Sequence, residues 1–167
     1  MIIKFTKQTN HDQTHAIRDD GTEVIFNFPK KGPFPHDAVH VFVEKRLNLK
    51  NGFWGMINQS YSPEKVGQLA KEGGHASASR AIKPSHEIVE LIQAERTVEC
   101  FEAEIWNPSG DPELFINVLK AACDASHIPM PEITASDIEE IRKLIEKYYS
   151  EWQSLSIGEN ITLDFVI

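Results

Sequence analysis

The chain has 167 residues, of which 41% are hydrophobic and 25% are charged, and its formal net charge is −8. This length and composition are typical of one globular domain, expected to span residues 1–167, and the negative charge argues against nucleic-acid binding. Two cysteines are too few for a disulfide framework, and no apolar run approaches the ~20 residues of a membrane span, so we expect a soluble cytoplasmic protein.

The N-terminal part of the chain predicts β-strands. Hydrophobic alternation over residues 2–7 is typical of a strand. Segments 14–17 and 23–28 flank an Asp20-Gly21 pair, which tolerates positive φ and predicts a hairpin turn. Prolines and glycine between residues 29 and 35 then predict a stiff connector.

Residues 35–48 predict a helix, because proline suits its first turn and Asp37 favours its positive end. Its expected core stripe is Val39, Phe42, Val43 and Leu47. This stripe predicts that Asp37 and Glu44 lie nearer the solvent. Gly52 is expected to stop the helix, and the aromatic pair Phe53 and Trp54 is expected to be buried.

Further helices are predicted at Ser62-Pro63-Glu64, over residues 84–106 and 111–126, and after a cap at Thr134 or Ser136 over residues 137–155. The glycine-rich segment 73–79 predicts a loop, and residues 161–166 predict a last strand. The fold class is therefore expected to be α+β. A small antiparallel sheet of N-terminal strands and the C-terminal strand would pack against about five helices.

Two segments of this chain resemble a set of uncharacterised bacterial proteins. They are Pro35-His36-Asp37-x-Val39-His40-x-x-Val43-Glu44 and Gly52-Phe53-Trp54-Gly55. Members of that set also end with Trp-x-x-Leu and Gly-Glu before a short strand, similar to residues 152–155 and 158–159 here. The resemblance spans most of the chain and implies that the histidine segment and the terminal strand form one module. It implies no activity.

His36, His40 and Glu44 form the most informative pattern, because residues four apart lie on one ridge of a helix. His36-Asp37-x-x-His40 is similar to the His-Glu-x-x-His pattern of zinc peptidases, in which two imidazoles bind a metal and a carboxylate acts as base. Here Asp37 would be the base, although it is one methylene shorter than glutamate. The pattern indicates a possible divalent-metal site, for zinc as an example.

A third ligand is not specified by the sequence. Glu44 shares the ridge of the histidines, but ligands spaced four apart along one straight helix diverge, so a ligand from another helix is more plausible. Glu95, Glu99 and Glu102 are spaced i, i+4 and i+7, and either form a solvated flank or supply this ligand. The alternative interpretation is that both histidines are half-buried and hydrogen-bonded, with Asp37 as a helix cap.

These patterns leave three functional hypotheses. The first is a non-catalytic binding or interaction module with a small ligand or a protein as partner, favoured because nucleotide-binding and nucleophile motifs are absent from the sequence. The second is a small metal-dependent hydrolase, and the third is a metal or ligand site with a structural or regulatory role. His75, within the glycine-rich segment, is interpreted as an exposed loop residue or a proton shuttle.

Overall fold

The computed structural model describes residues 1–30, 32–72, 84–107 and 110–167. The strands in these ranges are β1 (Ile2–Thr6), β2 (His11–Ile17), β3 (Glu23–Pro29) and β4 (Asn160–Asp164). The α-helices are α1 (His36–Leu47), α2 (Phe53–Asn58), α3 (Pro63–Ala70), α4 (Val89–Trp106), α5 (Pro112–Ala125) and α6 (Ala135–Ser154), and a 3₁₀ turn at His86–Ile88 leads into α4. This is the predicted α+β architecture, with one described α-helix more than the sequence indicated.

The sheet joins the first and last strands of the chain. Its order is β3-β2-β1-β4, and neighbouring strands are antiparallel. Ile3 lies between Ala16 of β2 and Leu163 of β4, so the predicted pairing of β1 with the C-terminal strand is confirmed. Ile3 and Phe5 are fully buried, because alternate residues of β1 face the helices. The hairpin turn is also confirmed, and Gly21 adopts a φ of 82° in it.

Helix α1 is more deeply buried than its sequence indicates. It packs against α4 and α6, so Asp37 is only 5% exposed and Glu44 is fully buried. The prediction that these acids lie nearer the solvent is wrong, because residues 37–44 are enclosed by neighbouring elements. Asn48 ends the helix with a φ of 53°, in the left-handed conformation. Gly52, which was expected to stop α1, instead precedes α2.

Helix α2 is the additional helix, and it buries the aromatic pair as predicted. Phe53 is 8% exposed and Trp54 is fully buried. The indole N–H of Trp54 donates to the carbonyl oxygen of Asp37 at 2.8 Å, and its ring meets Phe5 edge-on with centroids 6.0 Å apart. A Cβ atom at Gly55 would collide with the backbone carbonyl of residue 50. Through Trp54, helix α2 therefore packs against both α1 and the sheet.

Three predicted helix starts are confirmed by side-chain caps, whereas α4 begins at Val89, after the 3₁₀ turn, and not at the predicted residue 84. The Ser62 hydroxyl accepts a backbone N–H bond at the start of α3, and the Asp111 carboxylate does the same for α5. Thr134 and Asp137 form a reciprocal capping box at the start of α6, which identifies Thr134 rather than Ser136 as the cap. These contacts occupy N–H groups that have no partner within their own helices.

Cys100 is buried in the core, as expected for a small apolar side chain, and it forms no disulfide. The glycine-rich segment 73–79, with His75, Ser77 and Ser79, lies outside the described residues, so its predictions stay predictions. None of the helices that the structure describes is long and apolar enough to cross a lipid bilayer.

Candidate metal centre

Two antiparallel helices bring the candidate ligands together. His36, the first residue of α1, contacts Glu102 near the end of α4, and Asn51, just after α1, donates its backbone N–H to Glu90 at the start of α4, so the two helices run in opposite directions. His36 and His40 lie one helical turn apart on α1 and face α4. Their Nε2 atoms are 3.1 Å apart. The Oε2 atom of Glu95 lies 3.9 Å from Nε2 of His36 and 3.8 Å from Nε2 of His40.

These distances fit a single divalent ion. Zinc binds imidazole nitrogen and carboxylate oxygen at about 2.0–2.2 Å, so ligand atoms in a tetrahedral site are about 3.4 Å apart. The observed separations of 3.1, 3.8 and 3.9 Å reach that value with shifts of about half an ångström. Within the described part of the chain, His36, His40 and Glu95 are the group of three such side chains whose ligand atoms lie within 4.8 Å of one another.

A carboxylate stands behind each imidazole ring. Nδ1 of His36 is 2.9 Å from Oε1 of Glu102, and Nδ1 of His40 is 3.0 Å from Oε1 of Glu44. Metal-binding histidines usually have such a partner, which fixes the tautomer and the orientation of the ring. With each Nδ1–H donated to its carboxylate, both Nε2 atoms present lone pairs to each other and to Glu95. A cation between them, either a proton or a metal ion, removes the repulsion.

The charges around His36 determine its protonation. Burial lowers the pKa of His36, but the hydrogen bond with Glu102 and the negative charges of Asp37, Glu102 and Glu95 outweigh burial and raise the pKa to about 9. At neutral pH and without a metal ion, the His36 ring is therefore protonated on both nitrogens. Its Nε2–H donates a hydrogen bond to Nε2 of His40. A metal ion must displace this proton, so metal binding and proton release are coupled.

Glu44 lies on the opposite side of the His40 ring from Glu95. The sequence predicts it as a metal ligand, whereas its Oε1 meets Nδ1 and its Oε2 accepts the backbone N–H groups of Trp54 at 2.9 Å and Gly55 at 3.3 Å. Complete burial raises the pKa of the Glu44 carboxyl, and the backbone N–H bonds from residues 53–55 oppose that shift. Glu44 therefore connects the start of α2 to His40.

The acids of α4 have three different environments. A solvated flank, the interpretation favoured by the sequence, is wrong for Glu95, which is 7% exposed because α1 covers it. Glu99 pairs with Arg96 and stands outside the three-residue group, with its side chain 37% exposed. The side chain of Glu102 is equally exposed, and its carboxylate contacts Nδ1 of His36. Of the glutamates predicted as candidates for a third ligand, Glu95 is the one that the structure places in the three-residue group.

The sequence indicated Glu44 and Glu102 only as candidate metal ligands, and their contacts with the Nδ1 atoms were not predicted, although the spacing of both residues carries a signal. His40 and Glu44 are four residues apart on one helix, which is the spacing for a direct side-chain contact. Glu95 and Glu102 are seven residues apart, or about two turns, so both face α1. These spacings indicate a carboxylate partner for each Nδ1 atom as well as a third ligand beside the Nε2 atoms.

A cavity of about 610 Å³ adjoins the three-residue group. His36, His40, Glu95 and also Asp37, the predicted base, line it. Asp37 directly follows His36 in α1, and its negative charge contributes to the raised pKa of His36. The group therefore has helices on one side and a space for water or a small molecule on the other.

Comparisons with protein-family models, curated proteins and solved structures give no match for this chain. Membership in the bacterial set that residues 35–44 and 52–55 resemble therefore stays a prediction. The interpretation of function depends on the geometry of the site.

Proposed function

We propose that the protein binds one divalent transition-metal ion through His36, His40 and Glu95, and that it hydrolyses a small substrate in the adjoining cavity. The observation that carries this proposal is the convergence of three ligand atoms, 3.1 to 3.9 Å apart, with a carboxylate behind each imidazole. Three protein ligands leave a coordination position for water, as in catalytic zinc sites. Two imidazoles and one carboxylate suit zinc and also iron(II).

Asp37 acts as the general base in this proposal, because it directly follows His36 in the chain and lines the same cavity. A divalent ion held by His36, His40 and Glu95 would lower the pKa of a water molecule towards neutrality, and the Asp37 carboxylate would accept one proton from that water. The oxygen of that water would then add to the carbonyl carbon of the substrate, and the bond from that carbon to the leaving group would break. The leaving group takes the proton from Asp37, so one water is consumed for each bond cleaved.

Metal binding is tested by calorimetric titration of chelator-treated protein with zinc, iron(II), manganese and nickel salts. We expect the wild-type protein to bind about one equivalent, and we expect His40→Ala to lose this binding. Glu95→Gln should weaken it, because an amide replaces the charged ligand. Glu146→Gln removes an exposed carboxylate of α6, serves as the matched control and should bind like the wild type. If the wild-type protein binds none of these ions, the proposal is overturned.

Metal affinity is expected to increase with pH. The pKa of His36 is about 9 in the metal-free protein, so below that pH the ion must displace a proton. Affinity should therefore rise by about tenfold per pH unit between pH ~6.5 and pH ~9. Zinc titrations at several pH values in this range measure the slope. An affinity independent of pH would contradict the protonation assigned to His36, while the stoichiometry tests the site itself.

Hydrolysis is tested with 4-nitrophenyl acetate, a small activated ester whose product is coloured. Zinc-loaded wild-type protein should release nitrophenolate faster than His40→Ala, which supplies the metal-independent background. Asp37→Asn should lower the zinc-dependent rate by about 10²-fold, because it removes the base, and should keep the zinc stoichiometry. An unchanged rate in Asp37→Asn would exclude Asp37 as base. No zinc-dependent rate in the wild type would remove the hydrolytic part of the proposal.

A ligand-binding protein without catalysis is the second candidate function. Aromatic side chains on the cavity wall favour it, because such surfaces hold small apolar molecules without bond cleavage. In this case the metal ion would organise the site, and zinc binding without hydrolysis would be the expected result. For both candidates we infer a soluble protein of the cytoplasm, where the free thiols of Cys100 and Cys123 persist.

A further inference from the structure

The cavity beside the metal centre has an aromatic wall. It is formed by four phenylalanines from the sheet, the connector and α2: Phe26, Phe28, Phe34 and Phe53. The rings of Phe26 and Phe28 meet edge-to-face with centroids 5.0 Å apart, and Phe53 lies 6.4 Å from each of them. These contacts hold the rings in place before a ligand arrives. Trp106, which also lines the cavity, is 76% exposed.

The same cavity carries an excess of negative charge. The described residues that line it include six carboxylates and two lysines: Asp12, Asp37, Glu64, Glu95, Glu99 and Glu102, with Lys30 and Lys71. A divalent ion bound to the centre would offset only part of this excess. An anionic ligand would therefore meet net repulsion, whereas a cation would be attracted.

Two of these carboxylates, both on α4, are accessible from the cavity. Glu99 and Glu102 lie outside the three-residue metal group and have side chains 37% exposed. Glu99 forms an ion pair with Arg96, and Glu102 forms one with His36. Because both side chains are partly exposed, their negative charge attracts a cation in the cavity without either residue giving up its ion pair.

From this combination we infer the class of ligand: a small organic cation with an apolar body. Its positive group would be attracted to the acids of α4, and its apolar part would pack on the aromatic wall, whose ring faces also attract cations. A volume of about 610 Å³ is within the usual range for small-molecule sites. The inference deepens the proposed function and rests on it for the metal ion. The aromatic wall and the acids of α4 are present whether or not a metal ion is bound.

The test uses three probes that share a phenyl ring and differ in charge: benzyltrimethylammonium, benzyl alcohol and benzenesulfonate. The quaternary ammonium has no lone pair, so its binding cannot reflect coordination to a metal ion. Calorimetry on the zinc-loaded protein should give an affinity about tenfold higher for the cation than for the alcohol, with the sulfonate weakest. Glu99→Gln should reduce this preference several-fold, whereas the control Glu146→Gln, on the outer surface of α6, should leave it unchanged.

The same titrations on metal-free protein separate the two proposals. If zinc fails to bind but the cation is still preferred, the proposed metal function fails and the ligand class stands. If zinc binds but the alcohol or the sulfonate binds as tightly as the cation, the ligand class is overturned and the metal centre stands. Equal effects of Glu99→Gln and Glu146→Gln would also overturn the inference, because the preference would then reflect only the overall charge of the protein.

Discussion

Trp54→Ala is expected to lower the free energy of unfolding by about 3–5 kcal/mol. The indole is fully buried, contacts Phe5 and Phe26, and donates its N–H to the carbonyl oxygen of Asp37. Alanine at this position leaves a cavity between the sheet and α1 and removes the donor of a buried hydrogen bond. Urea unfolding of the wild type and the variant, followed by circular dichroism, measures the difference.

Trp106→Ala is the matched control for this prediction. It deletes the same side chain at a position that is 76% exposed, so we expect a change within about 0.5 kcal/mol. A loss below about 1 kcal/mol in Trp54→Ala would contradict a structural role of the Trp54 indole in the core. It would instead indicate that the segment after α1 is an exposed recognition surface.

The secondary structure could largely be predicted, because turn-forming and helix-capping residues mark the ends of several elements. Asp20-Gly21, Ser62-Pro63 and Asp111-Pro112 mark a turn and two helix starts through local backbone preferences, which need no knowledge of the tertiary fold. The end of α1 was harder, because Asn48 and Gly52 both tolerate positive φ and only packing decides between them. Asn48 adopts that conformation, and the chain then turns into α2.

The candidate site could be predicted only in part. His36 and His40 follow from spacing along one helix, whereas the choice of Glu95 depends on how α4 is rotated against α1, which is a tertiary property. The burial of Glu44 could not be predicted, because an acid in a helix pattern is normally assigned to the solvent. The groups that make its burial tolerable are backbone N–H groups at Trp54 and Gly55, and these are not visible in a sequence pattern.

Glu44 also explains why glycine occupies position 52. The φ of Gly52 is −71°, which any residue can adopt, so conformational freedom is not the reason. A Cβ atom there would lie 2.5 Å from Oε2 and 2.7 Å from Cγ of Glu44. The absence of a side chain leaves the space that the buried carboxylate needs to reach both His40 and the start of α2.

Glu44→Ala is expected to lower the free energy of unfolding by about 3–5 kcal/mol, because it leaves buried donors at His40, Trp54 and Gly55 without their acceptor. If His40 binds metal, the variant should also weaken zinc affinity by about 10- to 100-fold, since the ring loses the carboxylate that orients it. Urea unfolding without metal and zinc titration under conditions where the variant is folded measure the two effects separately.

Gly52→Ala tests the same connection without removing any polar group. The added methyl group must displace the Glu44 side chain, so zinc affinity should fall in the direction seen for Glu44→Ala. Gly67→Ala is the matched control: a Cβ atom at this helical position meets nothing within 4 Å, so zinc affinity should stay unchanged and stability should stay equal or rise by about 0.5–1 kcal/mol. A folded Gly52→Ala protein that binds zinc as tightly as the wild type would show that His40 does not depend on Glu44 for its orientation. Parallel losses in Gly52→Ala and Glu44→Ala would instead establish that one buried carboxylate serves both the packing of α2 and the geometry of the metal centre.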